Sequence, residues 1–238
     1  QIKSAYKSNY GDNYKDSLNQ ALTSAGYKNL SEYRQRMIKQ IQYANFLLDY
    51  IDDHFDDVFN DYYQQCAPKY VSLIKISVSD TSSPTDNETS KLNEVKELIS
   101  NTDKSFGDIA QDYSDDSTSS KKGSLGIVDS KDTSGIANSY GKDVFNAIEA
   151  LSEGQVSDVI TGDDGYYFVK VTSTDKKTLK KELKKTDIDS PLLAYDDYLQ
   201  YVVYNSYKIN YKDKDIKKIV QEVVNKALEE RKTERGEA

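Results

Sequence analysis

The sequence predicts an α+β protein: a small antiparallel sheet wrapped by helices, inserted in an all-helical lobe that both chain ends build. Three observations predict it. Strand-like and helix-like patterns alternate between residues 70 and 174, opened by β-branched residues at Val71, Ile74, Ile76 and Val78. Apolar residues at helical spacing fill residues 1–69. They also fill residues 175–238, in helices that lack a partner within their own segment and so are expected to fold back on the N-terminal ones. Alternation of this kind closes as a sheet covered by helices.

The first residue starts partway into a helical segment. No initiating Met, signal peptide or lipid-attachment cysteine stands at the front, so a trimmed or mature fragment is expected. Tyr14, Leu18, Ala21, Leu22 and Ala25 recur at helical spacing, and Gly26 stands where a left-handed cap belongs. Ser31 is the expected N-cap of a longer helix with Tyr33, Met37, Ile41, Ala44, Leu48 and Ile51 as its apolar stripe. A third helix is expected from Asp56 to Cys66, stopped by Pro68. Such stripes fit helix packed against helix, and an open apolar cradle for unfolded chains has the same periodicity. His54, the sole histidine, lies among Asp52, Asp53, Asp56 and Asp57 and reads as a surface ion-pair member; a metal site would need more nitrogen ligands. The single cysteine, Cys66, excludes an internal disulfide and a Cys-based zinc site. It reads as a buried small hydrophobe, with a reactive thiol as the rival reading.

In the middle, Tyr70 to Val78 is a strand and Ser79 to Ser90 a polar loop. Leu92, Val95, Leu98 and Ile99 mark one helix; Phe106, Ile109, Ala110 and Tyr113 mark the next. Gly123 to Val128 is a short strand and Val144 to Leu151 a helix. Val156 to Thr161 and Tyr166 to Thr172 form a hairpin around Gly162-Asp163-Asp164-Gly165. Beyond it, Lys176, Lys177, Lys180, Lys181, Lys184 and Lys185 make a solvated basic face around Leu179 and Leu183. Ser190-Pro191 opens a helix with Leu192, Tyr195, Leu199, Val202 and Val203 on one face. A last helix from near Asp213 carries Ile216, Ile219, Val220, Val223, Ala227 and Leu228.

A net charge of −8 argues against nucleic-acid binding, which wants a basic stripe. The acidity serves solubility or mild steering of basic partners. No run approaches the roughly 20 apolar residues of a membrane span.

Four linked blocks carry more than composition does. They are Phe106-Gly-Asp-Ile-Ala-Gln-Asp-Tyr-Ser-Asp-Asp116, Lys122-Gly-Ser-Leu-Gly-Ile-Val128, Val144 through Ser157, and Asp164-Gly-Tyr-Tyr-Phe-Val-Lys-Val171. In that order and spacing the stretch resembles the parvulin family of peptidyl-prolyl isomerases. The resemblance implies a four-stranded antiparallel sheet and no cofactor or metal. It implies a groove in which Lys75 takes the place of the first-strand histidine and Tyr167 that of the second. Asp116 and Leu125 are kept. Ile127 and Val128 replace the aromatic end of the second strand. The phenylalanine flooring the proline slot becomes Val144 by ungapped count, or Phe145 if one residue is skipped. The loop from Asp129 to Tyr140 is too divergent to align. Both paired histidines are thus replaced, and at most one of two aromatic walls survives. A lysine is a donor only and cannot copy a neutral imidazole. Asp116, the candidate catalytic residue, also reads as a turn residue or helix cap.

The wider layout is similar to the PrsA-type foldases, with a "Y-G-D-x-[FY]" entry at Tyr10 to Tyr14 and a "K-D-K-D-[IL]" run at Lys212 to Ile216. The resemblance implies residues 1–69 and 175–238 as the two parts of a helical chaperone lobe and residues 70–174 as a parvulin-like domain. It implies unfolded secreted polypeptides as partners on the outer face of a Gram-positive cell membrane, with a lipid anchor in the parent protein; a homodimer is compatible with it. The expected function is a folding factor whose isomerase domain is weak or inert. The rivals are a fully active isomerase and a non-catalytic partner-docking module.

Overall fold

The structure, a computed structural model, describes residues 2–101, 103–183, 190–195 and 209–234. The chain divides into two compact units, Gln1–Asp53 and His54–Ala238.

The first unit holds α1 (Ile2–Tyr10), α2 (Tyr14–Ser24) and α3 (Leu30–Asp53). Gly26 closes α2 as expected. Its N–H donates to the Thr23 carbonyl, and that of Tyr27 reaches back to Leu22 at 2.9 Å, the paired bonds of a left-handed cap. The start of α3 differs from expectation. Asn29, not Ser31, is its cap, its side chain accepting the Glu32 N–H at 2.9 Å while Glu32 accepts the Lys28 N–H at 2.8 Å. Leu47 and Ile51 of α3 are buried, but Ile38, Ile41 and Phe46 are 50, 58 and 41% exposed.

The second unit starts with α4 (Phe55–Cys66) and strand β1 (Lys69–Ser77), followed by α5 (Asp86–Asn101) and α6 (Phe106–Tyr113). Then come β2 (Ser124–Val128), α7 (Ile136–Tyr140) and α8 (Lys142–Ala150), and the hairpin β3 (Ile160–Thr161) and β4 (Gly165–Ser173). The sheet is four-stranded and antiparallel in the order β2-β1-β4-β3. Side chains alternate between its faces. Val71, Leu73, Tyr167 and Val169 bury against Ile136 of α7 and Val144 and Ile148 of α8. Ile74, Ile76 and Phe168 bury on the other face against α5 and α6, through Leu92, Val95, Phe106, Ile109 and Ala110. Both faces are therefore covered by helices.

Three elements of this second unit depart from the sequence reading. The polar loop ends at Thr85, because Thr85 and Glu88 exchange side-chain bonds with each other's N–H and start α5 early. The divergent stretch before Tyr140 contains α7, whose first amides, Ile136 and Ala137, donate to the Asp132 carboxylate. The strand before the hairpin is only Ile160–Thr161, because the Ser157 hydroxyl accepts the Val169 N–H and only an isolated bridge joins Val156 to Lys170.

Helix α4 is fastened to the sheet layer. Its Val58, Phe59, Tyr62 and Cys66 form one buried stripe. The Tyr62 hydroxyl donates to buried Asp129 at 2.7 Å, and the Ser130 N–H donates to the Cys66 carbonyl. Lys69 closes α8 by donating to the carbonyls of Ile148, Glu149 and Leu151 at 2.7–3.0 Å, a cation at a helix C-terminus. After α9 (Lys176–Leu183), α10 (Pro191–Ala194) starts on the expected Ser190 cap and packs on α4, with the Tyr195 hydroxyl donating to Asp61 at 2.6 Å. Leu199, Val202, Val203, Lys184 and Lys185 lie outside the described residues. The last helix runs Lys214–Glu234, and the apolar face expected on it includes Ile216, Ile219 and Val223 at 55–63% exposure.

Candidate functional site

The groove residues gather on the α7/α8 face of the sheet. Lys75 and Tyr167 are register partners across β1 and β4. A chain segment after α6 fixes their surroundings, because the Lys75 N–H donates to the Ser114 hydroxyl and the Asp115 N–H to the Lys75 carbonyl. This puts Asp116 beside the same face.

The polar ends of Lys75 and Tyr167 converge on Asp164, from the turn of the β3–β4 hairpin. The Lys75 ammonium is 2.5 Å from Asp164 and 5.7 Å from the Tyr167 ring centre, and the Tyr167 hydroxyl donates to the other Asp164 oxygen. These bonds, Lys75's first, hold the Asp164 carboxyl below the usual carboxylate range. Burial, and then the Asp164 charge it bonds, push the Tyr167 phenol well above its ordinary value. Tyr167 is only 2% exposed. Its ring needs Gly162 beneath it, since a Cβ there would come within 2.6 Å of a ring carbon.

Tyr140, at the end of α7, meets Tyr167 edge to face, with ring centres 6.1 Å apart. Burial, and then the charge of the nearby Asp116 carboxylate, push its phenol up to about 12. Asp116 accepts the Thr118 N–H and hydroxyl at 2.8 and 2.6 Å, capping the short turn that follows it. Leu125 and Phe145 are half-buried and pack with Tyr140 on the core beneath. Leu125 faces this core because β2 carries an extra residue there. The register slips between Val71 and Ser72, and Gly126 takes the left-handed conformation such a bulge uses.

Of the residues singled out from sequence, Lys75, Tyr167, Leu125, Phe145 and Asp116 border this face. Val128 and Val144 lie at its base, 0 and 1% exposed, and present almost no surface to a ligand. Ile127 is paired with Tyr70, one residue out of step with Val128, and so points to the opposite face. Sequence reasoning missed Asp164, Gly162 and Tyr140. The Asp-Gly turn of the hairpin marked the first as a turn residue only, and Tyr140 closes the stretch that did not align.

Residues 73–173 match the rotamase family described as the PPIC-type PPIase domain. The chain is 31% identical over 159 residues to the foldase protein PrsA of Staphylococcus aureus (strain MRSA252), covering 63% of this chain and 47% of that protein. It is 35% identical over 136 residues to the foldase protein PrsA of Staphylococcus epidermidis (strain ATCC 12228), covering 54% of this chain and 39% of that one. The chain thus spans less than half the length of these relatives. The crystal structure of PrsA from Bacillus subtilis is similar over 90% of this chain and 75% of its own, at 22% identity and a TM-score of 0.42.

Proposed function

Since the chain carries a PPIC-type rotamase domain and is a relative of the PrsA foldases, we propose that it is a folding factor for secreted polypeptides whose isomerase groove is weak or inert. It works outside the cytoplasm, on the outer face of the cell membrane, where a lipid anchor in the parent protein holds it. Its clients are unfolded or partly folded secreted chains.

The observation that carries the reading is the Lys75–Asp164–Tyr167 cluster at the positions where the family pattern has histidines. Rotation about a peptide bond meets a barrier of roughly 18–20 kcal/mol, and an isomerase lowers it by binding the twisted amide better than either planar form. That takes free hydrogen-bond donors aimed at the amide. Here the lysine and the phenol already donate to a carboxylate, and the phenol is buried. Asp116 is likewise engaged by the Thr118 N–H and hydroxyl. The rival reading of an active isomerase has Asp116 and Leu125 in its favour, but needs the Tyr167 hydroxyl that Asp164 holds.

Client holding falls to the helices. Ile38, Ile41 and Phe46 of α3, and Ile216, Ile219 and Val223 of the last helix, expose apolar surface of the kind unfolded chains adhere to. Light scattering from a chemically unfolded test protein diluted into buffer checks this. The chain suppresses aggregation, Asp116→Ala suppresses it equally, and the pair Ile41→Asp with Phe46→Asp does not. Suppression that depends on Asp116 but survives the α3 changes would defeat the reading.

A further inference from the structure

We propose that the outer face of α9 is a docking surface for the anionic phosphate headgroups of a lipid membrane. The helix reads Lys176-Lys-Thr-Leu-Lys-Lys-Glu-Leu183, four lysines against one acid in a chain whose net charge is −8. Leu179 and Leu183 turn inward and are 0 and 5% exposed. At about 3.6 residues per turn, Lys177 and Lys181 stand on the side opposite the two leucines, and both are exposed.

The four lysines are not alike. Lys180 pairs with Asp56 of α4 at 2.8 Å, and the Lys176 ammonium lies 5.4 Å from the Tyr63 ring centre. These two fasten α9 to α4, helped by the Tyr63 hydroxyl, which donates to the Thr174 carbonyl at 3.0 Å. Lys177 and Lys181, one turn apart, have no ion-pair partner among the described residues. Position also sets Lys177 against its own helix. The first turn holds no acid, and a cation there faces the positive end of the helix dipole. Asp175 offsets this by capping the helix, its carboxylate accepting the Thr178 N–H and hydroxyl, both at 2.8 Å. Stability of α9 gives no reason for a free lysine at 177, whereas an outside anion does.

Three features favour a lipid surface over other anions. The face is the convex side of a helix, which meets a plane and does not enclose a small ion. It carries lysines and no arginine, so it offers point charges and not the planar fork that grips a single phosphate. The chain as a whole is acidic, which repels a polyanion wrapped around it. A flat surface met by one face senses only the charges within a Debye length, about 10 Å at 0.1 M salt. Both leucines of α9 are buried, so no apolar side chain is left to insert, and the attachment is electrostatic and reversible.

The test is co-sedimentation of the full chain with vesicles of phosphatidylglycerol, or of phosphatidylcholine as the zwitterionic control, in about 0.1 M salt. The chain is expected to bind the first and not the second, and to be released at about 1 M salt, where the Debye length falls to about 3 Å. A lysine near an anionic surface contributes about fivefold, so Lys177→Gln with Lys181→Gln is expected to weaken binding by about 25-fold. Lys218→Gln with Lys226→Gln removes the same charge from the last helix, where Glu222 and Glu230 pair with those lysines, and is expected to change binding by less than about twofold. Thermal unfolding at the parent's temperature confirms that each variant is folded. Absence of binding by the parent, equal binding to both lipids, or binding indifferent to Lys177 and Lys181 overturns the proposal. So does binding to soluble polyphosphate with none to vesicles, which gives the face to a polymer in solution. The variant at 177 and 181 is expected to suppress client aggregation as the parent does. Loss of that suppression would assign these lysines to client holding and overturn the proposal as well.

Discussion

Lys75 and Tyr167 stand opposite each other on β1 and β4, and both give their polar ends to one carboxylate, Asp164. A pair of neutral imidazoles can donate and accept in turn, whereas a lysine only donates, and here it and the phenol both donate to one anion placed between them. The hairpin turn supplies that anion. The substitution is therefore three residues deep, and each can be probed separately.

Removing the anion frees both partners. In Asp164→Asn the Tyr167 phenol loses the charge that raises its ionisation and titrates at lower pH than in the parent, while burial keeps it above an exposed tyrosine. Ultraviolet difference titration, with Tyr167→Phe identifying the signal, reads this. Because Asp164 is 64% exposed, the change in unfolding free energy is expected to stay within about 1 kcal/mol. An unmoved Tyr167 titration would mean that Asp164 does not hold the hydroxyl.

Gly162 is tied to the size of residue 167. A methyl at Gly162 would press on the Tyr167 ring at 2.6 Å, and overpacking of this kind costs about 1–3 kcal/mol. Urea unfolding of Gly162→Ala, alone and with Tyr167→Ala, gives the coupling. The cost is expected to shrink in the double variant. Equal costs in both backgrounds would place the clash elsewhere.

Tyr62 fastens α4 to the sheet layer. Tyr62→Phe leaves buried Asp129 with the Lys131 and Thr133 donors but without its phenol. A loss of about 1–2 kcal/mol in urea unfolding is expected, because the bond is to a charged group. No loss would show that the Lys131 and Thr133 donors satisfy Asp129 without the phenol.

Glu88 carries the start of α5. Amides and hydroxyls of Thr85 and Ser79 bond it and lower its pKa to about 2. A carboxyl depressed in the folded state stabilises it above the unfolded value and loses that contribution as pH falls through the folded one. The window is therefore from about 4.5 down to about 2. The Ser79 and Thr85 amide signals should move with a midpoint near 2. A midpoint near 4.5 would mean that the cap bonds are absent.

The frame of the fold was legible because it rests on period. Alternation in β1 and β4 and the turn at Gly162–Gly165 dictate an antiparallel sheet, and the Ser190-Pro191 start and Gly26 stop are local signals. The Thr85–Glu88 exchange has a local signature too, a box three residues wide, set inside a polar stretch. Ile41 and Ile216 show where period runs out: it says which face is apolar, not whether anything covers it. The site was half legible. Lys75 and Tyr167 could be placed by the strands that carry them. Asp164 and Tyr140 could not, since what makes them site residues is a meeting of hairpin turn, strand and α7 across the sheet face. The bulge at Leu125–Gly126, which sends Ile127 away from its expected company, left only a glycine as its trace.

The central claim is that the groove keeps a rotamase frame around donors that are already spent. Its most direct measurement is the slow refolding phase of a test protein limited by a prolyl isomerisation, followed by fluorescence with and without this chain. The account predicts that the phase keeps its uncatalysed rate, about tens of seconds or slower, and that Asp116→Ala changes nothing. Marked acceleration that disappears in Asp116→Ala would contradict it.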